Sequence, residues 1–205
     1  MRYVDRFLSL SCSGDVMNAC GLINKPSKEI TESMGMIRLL KPIVLADPDK
    51  QFTVIDLCAG NALTSVLAVH LFKNVGALAV DIAVRKRHYD AVKKFRYVNA
   101  NIFDASFTEM VKGPHGTDLI FIAVHPCKNL AKRVVELYLA SAAKHLILMP
   151  CCRDNIACEY PALLKEKLGG YMLWSYHLAK IANGNFIQDK NVMSSCNAIV
   201  TAHKE

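Results

Sequence analysis

The sequence predicts an α/β protein, a mostly parallel central sheet with helices on both faces. Three observations carry that expectation. Residues 53–82 read as strand, tight turn, helix, strand: 53–57 is a short apolar run closing around Asp56, 58–61 is small and turn-prone, 62–72 is apolar all round, and 77–80 is a second apolar run that ends on Asp81. Further apolar runs of strand length follow in order at 97–102, 118–124 and 145–149. The chain has 205 residues, 52% of them hydrophobic, enough for one domain with a substantial core and too few for two.

Composition narrows the class. A formal net charge of +7 favours a polyanionic partner, nucleic acid first, although such a balance also occurs without one. No apolar run approaches the length of a membrane span, and Asp5 and Arg6 precede only a brief apolar patch, so neither a span nor a signal peptide is expected. The expected location is cytoplasmic. Several of the eight cysteines lie in or beside core strands, which fits reduced thiols better than disulfides.

Each element has its own signal. Residues 2–10 can form a short helix and 11–20 read as a turn-rich passage, with Cys12 and Cys20 too widely spaced for a zinc knuckle. Ser27 can cap a helix whose apolar stripe is Ile30, Met34, Ile37 and Leu40, ended or kinked at Pro42. Arg85, Lys86, Arg87, His88, Lys93, Lys94 and Arg96 lie on a segment that otherwise looks helical, read either as a solvated face or as a phosphate-contacting stripe. The third strand ends in Asn101-Ile102-Phe103-Asp104, and Gly113-Pro114-His115-Gly116 is a loop. A helix over 130–144 separates the strands at 118–124 and 145–149. Helices at 161–168 and 171–182 are stopped by Gly169-Gly170 and Asn183-Gly184, and 197–202 closes the sheet. The Tyr171, Trp174, Leu178, Ile181 stripe reads first as core packing. The expected layout is a single domain: a helical segment over 1–50, a cofactor-binding core over 51–152, a helical insertion over 153–194 that overhangs the site as a lid, and a closing strand over 195–205.

The turn after the first strand selects among ligands. A dinucleotide cradle needs G-x-G-x-x-G, and here Asp56-Leu57-Cys58-Ala59-Gly60-Asn61-Ala62 holds one glycine, which disfavours a nucleotide-dependent oxidoreductase. Asp81, at the tip of the second strand, stands where a nucleotide ribose presents its hydroxyls. The row resembles the E/D-x-G-x-G-x-G motif of class I S-adenosylmethionine (SAM) methyltransferases, with Cys58 and Ala62 in place of the outer glycines. Two later stretches, Ile122-Ala123-Val124-His125-Pro126-Cys127-Lys128-Asn129 and Leu148-Met149-Pro150-Cys151-Cys152-Arg153, look like the L-H-x-C … P-C-C pattern of one branch of those enzymes. That branch holds the tRNA 2′-O-methyltransferase family acting on the acceptor stem and its methyltransferase-like relatives. The resemblance implies a Rossmann-like fold, SAM as cofactor and a cofactor-binding set of Asp56, Cys58, Gly60, Asn61, Asp81, Ile82, Asn101 and Ile102. Asp56, Gly60 and Asn61 would hold the methionine end, Asp81 the ribose, and Asn101 with Ile102 the adenine.

The chemistry falls to the strand ends. Methyl transfer from a sulfonium needs alignment and removal of one proton, and His125 has the pKa for it, as base or orienting group; it can equally serve only to hold its turn. Cys127 is the second catalytic candidate, by analogy with RNA 5-methylcytosine methyltransferases, in which a thiolate adds to the base; Cys151 or Cys152 would be its partner. A metal held by Cys127, Cys151, Cys152 and Cys158 is the alternative, and buried inert thiols a third; no metal is expected. The function expected is SAM-dependent methylation of RNA, tRNA or rRNA. The alternatives are a protein or small-molecule methyltransferase and a degenerate RNA-binding module.

Overall fold

The computed structural model describes residues 2–21, 23–85, 87–112, 116–153 and 160–204. Strands β1 (Phe52–Leu57), β2 (Val75–Asp81), β3 (Phe95–Asn99), β4 (Asp118–Val124), β5 (His145–Met149), β6 (Asn185–Gln188) and β7 (Ala198–His203) form one sheet in the order β3-β2-β1-β4-β5-β7-β6. The first five run parallel, while β7 is antiparallel to β5 and β6 is antiparallel to β7. The order reverses between β1 and β4, which opens a crevice at their carboxyl ends.

Period-two alternation sends successive strand residues to opposite faces. Val54, Ile120, Ile122, Ile147 and Ile199 pack under helices α1 (Tyr3–Leu8), α2 (Ser13–Cys20), α3 (Pro26–Leu45) and α4 (Leu63–Leu71). Ile55, Leu57, Phe121, Leu146, Leu148 and Val200 pack under α5 (Ala105–Lys112), α6 (Asn129–Ala140) and α7 (Ala162–Ile181). Both faces are covered, which is why β4 and β5 are unbroken apolar runs. This is the Rossmann-like class I methyltransferase architecture expected, with the antiparallel hairpin at one edge.

Several elements differ from expectation. Residues 13–20 form helix α2, although Gly14 and Asp15 suggest a turn, because Val16, Ala19 and Cys20 bury one face. Helix α3 starts on Pro26 at its first turn with Lys25 as N-cap, and it runs through Pro42 to Leu45. The described part of the basic segment is no helix: 87–94 are irregular with one 3₁₀ turn, Tyr89–Ala91, pinned where the His88 amide donates to the Ala19 carbonyl at 3.2 Å, and Arg96 lies on β3. Helix α5 and strand β6 carry no clear sequence signal. The two helices expected at 161–168 and 171–182 are both present within α7 and are broken apart at Gly169 as expected, where φ of 68° and ψ of 168° are non-helical and glycine is at ease. Within the range expected as a helical insertion, α7 is followed by β6, which joins the sheet, and Leu173, Trp174 and Leu178 are buried in the core. Cys158, Lys86 and the turn at 113–115 lie outside the described residues.

Candidate functional site

The loop from β1 to α4 is shaped by backbone conformation. Cys58, Gly60 and Ala62 take φ of 58°, 53° and 54°, so the three positions where the motif carries glycine are all left-handed. Cysteine and alanine keep the loop shape at a steric cost of about 1–2 kcal/mol each. The outer glycines are therefore replaced without loss of the turn. A Cβ at Gly60 would meet no atom within 4 Å, so the loop presents its backbone to open space.

Hydrogen bonds fix this loop to its neighbours. The Gly60 amide donates to Asp81 Oδ2 at 2.9 Å and the Ala83 amide to Asp81 Oδ1 at 2.8 Å. Tyr97 and Tyr89, their rings stacked at 5.1 Å, donate hydroxyls to the Gly60 and Asn61 carbonyls at 3.2 and 3.0 Å. Asn61 Nδ2 donates to Glu29 Oε2 at 3.1 Å, and Arg87 donates to Asn61 Oδ1 at 3.3 Å. Asp56 lies behind the loop, buried, accepting from Ser65 Oγ at 2.6 Å; burial pushes its carboxyl up to about 7 against the pull of Ser65. Cys58 is half-buried, and burial pushes its thiol up to about 12. Of the remaining expected cofactor residues, Ile82 is 73% exposed, Asn101 is exposed with its Oδ1 accepting from the Phe103 amide, and Ile102 is buried.

The β4 and β5 ends are built from side chains. His125 and Lys128 take φ of 59° and 46°, strained values that bracket Pro126 and Cys127 and turn the chain sharply into α6. The His125 amide donates to the Met149 carbonyl at 2.7 Å, tying the turn to β5. His125 Nε2 is paired with Glu32 Oε1, which also meets Lys28 Nζ at 3.2 Å, and the other ring nitrogen, Nδ1, is buried without a hydrogen-bond partner. The ring is thus held from α3 rather than presented to solvent. Cys127 Sγ lies 2.9 Å from Cys151 Sγ and 3.4 Å from Cys152 Sγ, so the three cysteines singled out in sequence meet in space.

Sequence reasoning missed Glu29 and Glu32. They stand three residues apart on one face of α3, one reaching the β1 loop and the other the β4 turn. The available signal was an acid placed among Ile30, Met34 and Ile37 on a helix that must bury that face. Beside the β2 and β3 ends, Arg85, Arg87 and Arg96 line an open cleft of about 440 Å³ with Tyr89, Tyr97 and Asn99. The basic run expected on a helix face therefore borders a concavity next to Asp81, whose Cα partner across the ladder is Asn99.

A family described as a methyltransferase domain matches residues 25–159, from the start of α3 past the β5 end. No curated protein matches the chain in sequence. Among solved structures, the fibrillarin/Nop5p complex is similar at 10% identity with a TM-score of 0.55, covering 83% of each chain. Magnesium protoporphyrin IX methyltransferase from Synechocystis PCC 6803, solved with bound SAH, is similar at 11% identity with a TM-score of 0.51, covering 98% of this chain and 99% of that one. At these identities the likeness is one of fold. The residues present fit the cofactor that the family uses: backbone open above Gly60 with no Cβ in the way, and an acid on the neighbouring strand end with acceptor capacity beyond its two amide bonds.

Proposed function

The chain belongs to this methyltransferase family and is a SAM-dependent enzyme, and on that premise we propose that its acceptor is RNA. The observation that carries the acceptor class is the cleft beside Asp81, where the exposed side chains of Arg85 and Arg96 flank stacked tyrosines in a chain of net charge +7. Cations that neutralise phosphates next to aromatic rings suit a single-stranded or flared nucleic acid. The tRNA-modifying branch to which His125-Pro126-Cys127 and Pro150-Cys151-Cys152 bear a resemblance points the same way.

SAM, when bound, supplies an activated methyl group on a sulfonium. The chain's part is to hold the cofactor and align the acceptor. We assign the Gly60 backbone and Asn61 to the methionine end, Asp81 to the ribose hydroxyls, and exposed Ile82 with Asn101 to the adenine edge, with Ile102 closing the slot from beneath. Asp56 and Cys58 act from behind, the first by bonding Ser65 at the start of α4. His125 is a positioning residue: Glu32 fixes its ring, and the ring with its backbone fixes the turn that carries Cys127. Cys127 is exposed at the β4 end and borders the acceptor in this reading.

The test is transfer of labelled methyl from SAM into unmodified total RNA and, in parallel, into a protein extract, with Asp81→Ala and Arg85→Ala/Arg96→Ala alongside. We expect label in RNA, SAM affinity falling roughly 10- to 100-fold in Asp81→Ala as charge-assisted hydrogen bonds are lost, and weaker, less salt-dependent RNA binding in the arginine variant. Label in protein alone would overturn RNA as acceptor while leaving the enzyme class intact.

A further inference from the structure

The three cysteines at the β4 and β5 ends have a use that methyl transfer does not require. We propose that Cys127, Cys151 and Cys152 bind one thiophilic metal ion of the Zn²⁺ class through three thiolates, leaving the fourth coordination position open at the rim of the site. The sulfurs form a triangle with edges of 2.9, 3.4 and 3.5 Å. Among the described residues this is the one group of three or more potential ligand atoms drawn from histidine, cysteine and acid side chains that lie this close together. A tetrahedral Zn²⁺ with bonds of about 2.3 Å sets its sulfurs about 3.8 Å apart. The triangle reaches that size if each edge opens by less than about 1 Å, a rotamer-scale change.

The surroundings prepare the cluster for an ion. Adjacent cysteines often diverge, yet here Cys151 and Cys152 both turn their sulfurs toward Cys127. The cause is the backbone: Cys151 Sγ sits 3.3 Å from the His125 carbonyl, and Cys196 Sγ sits 3.3 Å from the Cys151 carbonyl, which anchors the β5 end from the opposite side. Cys151 is half-buried at the base of the triangle while Cys127 and Cys152 are exposed, so the ion enters from solvent and its free position faces outward. Binding exchanges three S–H protons for one cation with no change of oxidation state. The ion would staple the strained His125–Lys128 turn to the β5 end, and its fourth position takes water or a soft donor atom of the acceptor.

The test uses the reduced full chain under anaerobic conditions, titrated with Co²⁺ and then Zn²⁺. Thiolate-to-cobalt charge-transfer absorption saturating at one ion per chain and displaced by Zn²⁺ is expected. Cys127→Ser and the double variant Cys151→Ser/Cys152→Ser should lose it, and Cys12→Ser, far from the cluster, should keep it. On the wild-type chain, where folding of variants plays no part, Zn²⁺ should protect Cys127, Cys151 and Cys152 from alkylation as mapped by mass spectrometry. Absence of the charge-transfer band, its persistence in the double variant, or protection mapping to other cysteines would overturn the site. The readout is the ion itself, so its failure leaves the methyltransferase reading standing, and loss of SAM binding would leave the ion site standing.

Discussion

Two carboxylates are buried to nearly the same depth at the head of the sheet, Glu32 at 1% and Asp56 at 2% exposure, and their environments set them in opposite directions. At Asp56 burial dominates; the hydroxyl of Ser65 resists it, and the carboxyl is pushed up to about 7. At Glu32 burial also pushes upward, but the hydrogen bond from His125 and the positive charges of His125 and Lys28 outweigh it and hold the carboxyl below its ordinary value. The β1 loop is thus shaped by backbone geometry over a buried carboxyl, with Asp81, Glu29 and Arg87 bonded around it. The β4 and β5 ends are assembled from the His125–Glu32 pair and three cysteines. The two regions share the sheet and helix α3, whose Glu29 reaches the β1 loop while Glu32 reaches the β4 turn.

The largest effect should come from Asp56. Its folded-state value near 7 lies above its ordinary 3.8, so the folded chain holds a proton that the unfolded chain releases between those values. Stability therefore declines as pH rises from about 4 to about 7, by about 4 kcal/mol at most. Asp56→Asn should flatten that decline and be more stable than wild type above pH 7, as read from urea midpoints across pH. An unchanged pH profile would mean that the interior behind the β1 loop is polar after all, and the contrast with Glu32 would dissolve.

Glu32→Gln should sharpen the other half. It leaves His125 and Lys28 without their carboxylate and should cost about 2 kcal/mol near neutral pH, the scale of a hydrogen bond to a charged group. The sign with pH is reversed relative to Asp56. A carboxyl held low stabilises above its ordinary value of 4.5 and loses that contribution as pH falls through its folded value, so the wild type should show an acid limb below about pH 4.5 that the variant lacks. SAM affinity should be nearly unchanged in Glu32→Gln while methyl transfer falls, if the His125 turn borders the acceptor as proposed.

The same division governs what the sequence reveals. Strands β4 and β5 were legible to the residue, because a strand covered on both faces is an apolar run with nothing else to be. Asp81, Gly60 and Cys127 stand out in the sequence because strand ends are where such a sheet binds, and the structure places them at or beside the ends of β2, β1 and β4. Strand β6 was hidden: Asn185–Gln188 is a largely exposed edge strand whose identity comes from pairing with β7. The residues 85–96 looked helical by composition, but Tyr89 and Val92 are claimed by the core along an irregular path over 87–94, and Phe95 and Arg96 open strand β3. Glu29 and Glu32 read as ordinary helix acids, and only the placement of α3 against the strand ends makes one of them buried and both of them partners of the site. Trp174 read first as core, as it is.

The smallest effect on stability tests the cofactor half most directly. Gly60 has φ of 53° and open space where a Cβ would stand. Gly60→Ala meets no clash in the free protein, so its cost is backbone strain alone, about 1 kcal/mol, no more than Cys58 and Ala62 already bear at the same conformation. If SAM lies in that open space, the added methyl must collide with it, and affinity should fall well beyond the roughly fivefold that 1 kcal/mol represents. Paired measurements of unfolding free energy and SAM binding on one variant separate the two. A loss of affinity no larger than the loss of stability would mean that the space above Gly60 is not where the cofactor rests, and the β1 loop would then be strained for a reason other than its ligand.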